Sequence, residues 1–221
     1  MEIGKFVNNA LAICYDMDVA TEGTFASLYD IFFDGVLKQI RLKNLEIISR
    51  NHCKRIVDLG CGTGSQCRVL SKNGFEVVGI DNSEKMLKVA KKKDIHKTTF
   101  VLGDITAKSF SSEPFDCAII SLVLHPNNQK TIQRIIQEAK GIIKEGGILI
   151  LVDYDYGQHI KGRIAQRFIQ LIESFANQSH RSHYSEFMQR GALPAIISKE
   201  NLQVLESFSF YDNALKIYVV Q

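Results

Sequence analysis

Three glycines alternate at Gly60, Gly62 and Gly64, two places after an acid, Asp58, and directly after the strand-like run Arg55–Leu59. A helix-like segment follows from Ser65. The pattern reads as a buried strand turning sharply into a helix N-terminus. Glycine takes the tight, partly left-handed backbone such a turn needs and lets a ligand lie against the main chain. The helix start adds free N–H groups and positive dipole character, which suit a polar or anionic ligand group. A dinucleotide loop would read G-x-G-x-x-G. Counted from Gly60, the sixth position is Ser65, and Gly64 comes one place early. The spacing D-x-G-x-G-x-G therefore argues against a nicotinamide dehydrogenase.

Four further segments carry candidate chemistry. The run Phe75–Ile80 ends in Asp81, and a carboxylate at a strand's C-terminal end can accept two hydrogen bonds from a ribose diol. Asn82 follows, then Ser83 as an N-cap for a helix with Met86, Leu87 and Ala90 on its apolar face. Thr99–Leu102 leads into Gly103-Asp104-Ile105. Phe115–Leu124 is a long apolar run that contains Ser121 and Leu122 and ends at His125. Gly146-Gly147 feeds the apolar strand Ile148–Val152, with Asp153, Tyr154, Asp155 and Tyr156 just beyond it.

Taken in order from Arg55 to Asp155, these segments resemble the motifs of the class I S-adenosylmethionine-dependent methyltransferases. The resemblance implies S-adenosyl-L-methionine as cofactor, S-adenosyl-L-homocysteine as product, and no metal. It implies that the loop of Gly60, Cys61, Gly62 and Gly64 passes under the methionine part, with Asp58 near its amino group. Asp81 would hold the ribose and Asn82 would lie beside the adenosine. Asp104 would accept from the adenine amine while Ile105 covers the ring. Ser121 and Leu122 would end the strand that enters the reaction site. Tyr29-Asp30 resembles the Y-D found ahead of the glycine loop in small-molecule members, and Tyr29 is expected to close over the cofactor.

The acceptor is narrowed mainly by what the chain lacks. Ser121-Leu122-Val123-Leu124-His125-Pro126 is not the [DN]-P-P-[YF] of amino-directed enzymes, and neither a Pro-Cys nucleophile nor paired glutamates are evident. The S-L-x-L-H form resembles the small-molecule branch, which includes ubiquinone- and menaquinone-type enzymes. His125 is the one side chain there that titrates near neutrality. It reads as a base or an acceptor-orienting group, or else as a helix-start residue bonded to backbone. Asp153 and Tyr154 stand at the C-terminal end of their strand, where open α/β sheets bind ligands. Ser179–Gly191 is dense in His, Tyr and Arg. His183, Tyr184 and Arg190 are expected to face the acceptor there, with a polar surface loop as the equal alternative.

The elements needed to position these groups alternate strand and helix, which argues for a parallel sheet covered on both faces. The chain closes with two strands, Gln203–Phe210 and Leu215–Val220, whose short link requires an antiparallel pair. The expected fold is α/β, a Rossmann-like seven-stranded mostly parallel sheet with the last strand antiparallel and an N-terminal helical lid. Residues 1–50 form the lid, with Thr24–Ile48 at helical spacing. Residues 51–221 form the cofactor-binding domain, with a substrate-cap insertion around 156–195 and a helix over Ile160–Phe175.

At 221 residues the chain suits one domain. A net charge of +3 gives no argument for nucleic acid, and the lysines around Lys91-Lys92-Lys93 read as a solvated helix end. Five cysteines without a C-x-x-C pair read as reduced thiols in a cytoplasmic protein. No membrane span and no signal peptide are evident. The expected partner is a small-molecule acceptor, with monomer or homodimer left open. Two other readings stand beside it: a tRNA- or protein-directed methyltransferase, and a non-catalytic S-adenosylmethionine-binding sensor or partner subunit.

Overall fold

The structure is a computed structural model that describes residues 37–92, 97–107, 113–156 and 178–221. Tyr29 and the expected helix Ile160–Phe175 lie outside the described residues. Seven strands form one sheet: β1 (Arg55–Leu59), β2 (Glu76–Asp81), β3 (Thr98–Leu102), β4 (Phe115–Ser121), β5 (Ile143–Tyr154), β6 (Val204–Phe210) and β7 (Leu215–Val220). Their spatial order is β3-β2-β1-β4-β5-β7-β6. β7 alone runs antiparallel, paired with β5 (Leu149↔Val220) and with β6 (Phe210↔Leu215). The turn before it, Tyr211, Asp212 and Asn213, is left-handed throughout, with φ of 52°, 56° and 69°. The expected sheet and its closing antiparallel strand are both present.

The central strands are apolar on both faces because helices cover both. Val57, Leu59, Ile119, Ile120, Ile150 and Leu151 are fully buried. Helix α1 (residues 37–50) is helical, as its spacing predicts, and buries Ile40, Ile47 and Ile48. That i, i+7, i+8 stripe fixes which face meets the sheet. Asn44 Nδ2 donates to Gln66 Oε1 at 3.0 Å, and Arg50 pairs with Glu206 on β6 at 2.6 Å. The crossover helices α2 (Ser65–Lys72), α3 (Glu84–Lys91) and α4 (Gln129–Ile142) follow β1, β2 and β4. Strand order reverses between β1 and β4. The crevice above their C-terminal ends is where a doubly wound sheet binds ligand.

Two elements differ from the expectation. β5 begins at Ile143, before the Gly-Gly turn, because Gly146 at φ 72° and a register shift beside Phe115 let the chain pair on both sides of the bend. Ser179–Gly191, expected as either a substrate-covering insertion or a polar surface loop, lies almost wholly in helix α5 (Gln178–Gln189), and α6 (Ala192–Lys199) follows. Polar composition hid α5. Its buried side is only Tyr184, Phe187 and Met188, at i, i+3 and i+4. Among the described residues no helix is long and apolar enough to cross a membrane.

The docking of α1 gives a stability expectation. Ile47→Ala removes a fully buried side chain and should cost about 2–5 kcal/mol in urea denaturation. Leu42→Ala, on the same helix at 49% exposure, should stay within about 0.5 kcal/mol.

Candidate active site

The glycine loop is held from both sides. Gly60 N and Cys61 N both donate to Ile80 O, at 2.8 and 3.0 Å, which ties the loop to β2. Gly60 has φ 76°, and a Cβ there would stand 2.5 Å from Val123 Cγ2. Gly64, at φ 72°, caps α2, and a Cβ on it would stand 2.7 Å from Phe100 Cζ. These two positions therefore exclude any side chain. A Cβ at Gly62 would meet no atom within 4 Å, so the loop presents one bare stretch of backbone outward. Asp81 completes the frame. Its Oδ2 accepts from Gly62 N and its Oδ1 from Ser83 N, both at 2.8 Å.

Asp58 sits beneath this loop, only 2% exposed. Cys67 Sγ donates to its Oδ2 at 3.3 Å. Burial pushes its pKa up to about 7, with nearby Asp81 adding to the rise; the Cys67 hydrogen bond and the Arg41 charge oppose it. A buried carboxylate so unfavourably placed is a good seat for an ammonium group, whose charge would restore its ionised form. Bare backbone over Gly62, the Asp58 carboxylate and the Asp81 carboxylate thus fit an amino-acid end joined to a ribose.

A second cluster lies at the ends of β4 and β5. Leu122 takes φ 57°, uncommon for a non-glycine residue, and donates its N–H to Val152 O at 2.8 Å. Asp153, fully buried, organises the loop that follows. Its Oδ2 accepts from Leu124 N at 3.0 Å and His125 N at 3.2 Å, and its Oδ1 accepts from Tyr154 N and meets His125 Nδ1, both at 2.8 Å. His125 is 3% exposed, and its ring centroid lies 4.6 Å from Tyr154, 5.4 Å from His180 and 6.1 Å from Tyr184. Asp153 thus holds the His125 ring through Nδ1, and aromatic rings wall it.

The structure brings Asp58, Gly60, Cys61, Gly62, Gly64 and Asp81 into one frame, and His125, Asp153, Tyr154 and Tyr184 into another. Ser121 and Leu122 lie between them, half-buried. Asn82 and Asp104 are exposed, and Ile105 is half-buried. Asp104 Oδ1 is occupied by Thr106 N and Thr106 Oγ1, both at 2.8 Å, and these bonds hold its pKa below the usual carboxylate range. His183 stands one turn away, with Nδ1 at 2.9 Å from Pro126 O. The Arg190 guanidinium pairs with Glu186 at 2.5 Å and donates to Gln129 at the start of α4. His183 and Arg190 line a cavity of about 290 Å³ between α4, α5 and α6. The sequence reading missed Cys67, Val123, His180 and Phe187. Helical periodicity through 180, 184 and 187 marks the ring cluster; nothing local marks the other two.

The buried acid makes a signed pH prediction. Asp58 has a folded pKa of about 7 against an unfolded value near 3.8. Below pH 4 both states are protonated and the group costs nothing. As pH rises through 4 to 7 the unfolded chain ionises first, so stability is lost, by up to about 4 kcal/mol above pH 7. Asp58→Asn removes that charge and keeps an acceptor for Cys67. Its stability advantage over the native protein without ligand should open across that window. A gap that stays constant from pH 4 to 8 in urea titrations would contradict the burial cost.

Residues 57–151 match the family described as methyltransferase domain. An uncharacterised methyltransferase of Synechocystis is 35% identical over 115 residues, 52% of this chain and 52% of its own length. A carboxy-S-adenosyl-L-methionine synthase of Campylobacter hominis is 29% identical, covering 75% of this chain and 74% of that protein. A demethylmenaquinone methyltransferase of Renibacterium salmoninarum is 27% identical over 78% of this chain and 63% of that protein. The chain thus spans about half to three quarters of these relatives' lengths. The crystal structure of a plantazolicin methyltransferase, complexed with a desmethyl substrate analogue and S-adenosylhomocysteine, superposes with a TM-score of 0.62 at 18% identity, over all of this chain and 98% of that one. With the alternating-glycine loop, the acid after β2 and the single antiparallel strand β7 in place, residues 57–151 carry a methyltransferase domain on a Rossmann-like sheet.

Proposed function

We propose that the protein transfers the methyl group of S-adenosylmethionine to a small, phenolic or anionic acceptor of the quinone-precursor kind. The observation that carries this reading is the contact between the two clusters. Val123 packs on Gly60, so the segment bearing His125 abuts the cofactor loop directly. The relative named demethylmenaquinone methyltransferase supports the acceptor class. The bound cofactor supplies an activated methyl on a sulfonium. The chain's own residues do the rest by holding and orienting. Asp58 takes the amine, the glycine loop passes under the methionine part, Asp81 fixes the ribose, and Ile105 covers the adenine. Asp153 orients His125, the candidate base for the proton of an acceptor hydroxyl. Such positioning of reactants accounts for up to about 7–11 kcal/mol of a barrier. Tyr154 and Tyr184 wall the acceptor side beside His125. A cytoplasmic setting suits the free cysteines.

The Campylobacter relative favours a second reading, in which the product is a carboxylated derivative of the cofactor itself. Mass spectrometry of the nucleotide that copurifies separates the two.

Calorimetry should show one S-adenosylhomocysteine site per chain and no NAD binding. Asp81→Ala removes a charged acceptor worth about 1.5–3 kcal/mol, so affinity should fall roughly tenfold or more. Unchanged affinity would remove Asp81 from the cofactor site. His125→Gln should lower turnover about a hundredfold while S-adenosylhomocysteine affinity stays within about twofold. Full turnover in a folded His125→Gln protein would reduce His125 to a structural role. Submicromolar tRNA binding at physiological salt would favour a macromolecular acceptor instead.

A further inference from the structure

The cavity of about 290 Å³ between α4, α5 and α6 has no part in the methyl-transfer reading. Gly191 and Ala192, with φ of 105° and 54°, turn the chain sharply from α5 into α6. One stripe of α6, Ala192, Ala195, Ile196 and Lys199 at i, i+3, i+4 and i+7, then lines the cavity. The two alanines leave room that larger side chains would fill. Ile132 of α4 and Phe187 of α5, both buried, complete an apolar wall.

The charges around this wall narrow what the space suits. Two cations, Arg190 and Lys199, and two anions, Glu186 and Glu200, line it. Arg190 and Glu186 neutralise each other at 2.5 Å, and Arg190 also donates to Gln129. Lys199 and Glu200, together at the C-terminal end of α6, form no ion pair with a described residue. A ligand with only a negative charge would meet Glu200, and one with only a positive charge would meet Lys199. A plain hydrocarbon would use neither. A zwitterion with an apolar body uses both charges and the wall behind them. At about 30 Å³ for each water-sized group, the volume holds about ten non-hydrogen atoms, the size of a free amino acid such as leucine or methionine.

We propose that this cavity binds a free α-amino acid with an aliphatic or aromatic side chain. Lys199 takes the carboxylate, Glu200 takes the ammonium, and the side chain lies against Ile132, Phe187 and Ile196. The site stands behind the reaction loop. The Phe187 ring centroid is 6.3 Å from that of His125, and His183 Nδ1 lies 2.9 Å from Pro126 O. Asn127, also in the cavity wall, donates Nδ2 to Val123 O at 2.7 Å. An occupant therefore rests on three side chains that hold residues 123–127. The glycine loop, Asp58 and Asp81 are not among the lining residues, so the site is separate from the cofactor seat.

Calorimetry on the full-length chain tests this with leucine, methionine and phenylalanine as probes. At least one should bind at one site per chain with a Kd at or below about 1 mM. Glycine, 4-methylpentanoate and isopentylamine lack the side chain, the ammonium and the carboxylate of leucine in turn. Each should bind at least about tenfold more weakly than leucine. Lys199→Gln and Glu200→Gln should each weaken the best probe about tenfold. Ala195→Phe, which fills the cavity, should abolish binding while native circular dichroism is kept; where that variant fails to fold, the two charge variants decide. No saturable binding of any probe overturns the proposal, as does 4-methylpentanoate binding as well as leucine or an affinity indifferent to both charge variants. Displacement of the amino acid by S-adenosylhomocysteine also overturns it, because the probe would then occupy the seat beside Asp58. None of these readouts requires turnover, so they stand or fall apart from the methyl-transfer reading.

Discussion

Backbone N–H groups at the open end of the sheet have left the strand ladders, and two aspartates receive them. Asp81 accepts from Gly62 and Ser83, and Asp153 accepts from Leu124, His125 and Tyr154. Buried donors without partners would each cost about 1–3 kcal/mol. Hydrogen bonds to charged acceptors are also roughly twice as strong as neutral ones. Each aspartate therefore fixes a loop that has no regular structure of its own. The cofactor loop is fixed by the strand beside it, and the His125 loop by β5.

This arrangement has visible costs. Leu122 is held at φ 57°, a conformation worth of order 1–3 kcal/mol, and is retained because Val152 and the Asp153-bound turn clamp it on both sides. Asp58 is buried near a second acid. Both costs fall where β4 and β1 meet at the reversal of strand order, the position at which an open α/β sheet binds its ligand.

The ring cluster around His125 shows how packing changes the meaning of a residue. Tyr154, His180, Tyr184 and Phe187 surround the imidazole, and Asp153 fixes one of its nitrogens. Such a histidine is held in one orientation. Arg190, by contrast, is exposed and shared with Glu186 and Gln129, so its charge is largely neutralised before any acceptor arrives.

The sequence by itself determined the sheet and its cofactor end. Apolar runs of strand length, broken by Gly60, Gly62 and Gly64 and closed by Asp81, leave little freedom, because only glycine tolerates the positive φ and the contacts with Val123 and Phe100. The short turn at Tyr211–Ala214 likewise forced the antiparallel end. Other features depended on contacts between residues far apart in the chain. The helix α5 was hidden by polar residues on its solvent side, and its apolar side has meaning only once β5 and His125 are there to cover. Asp153 reads as a strand-end acid until β4 and β5 lie side by side and bring the Leu124 and His125 amides to it. Cys67 on Asp58 is a pairing set by the packing of α2 against β1, and local spacing holds no record of it.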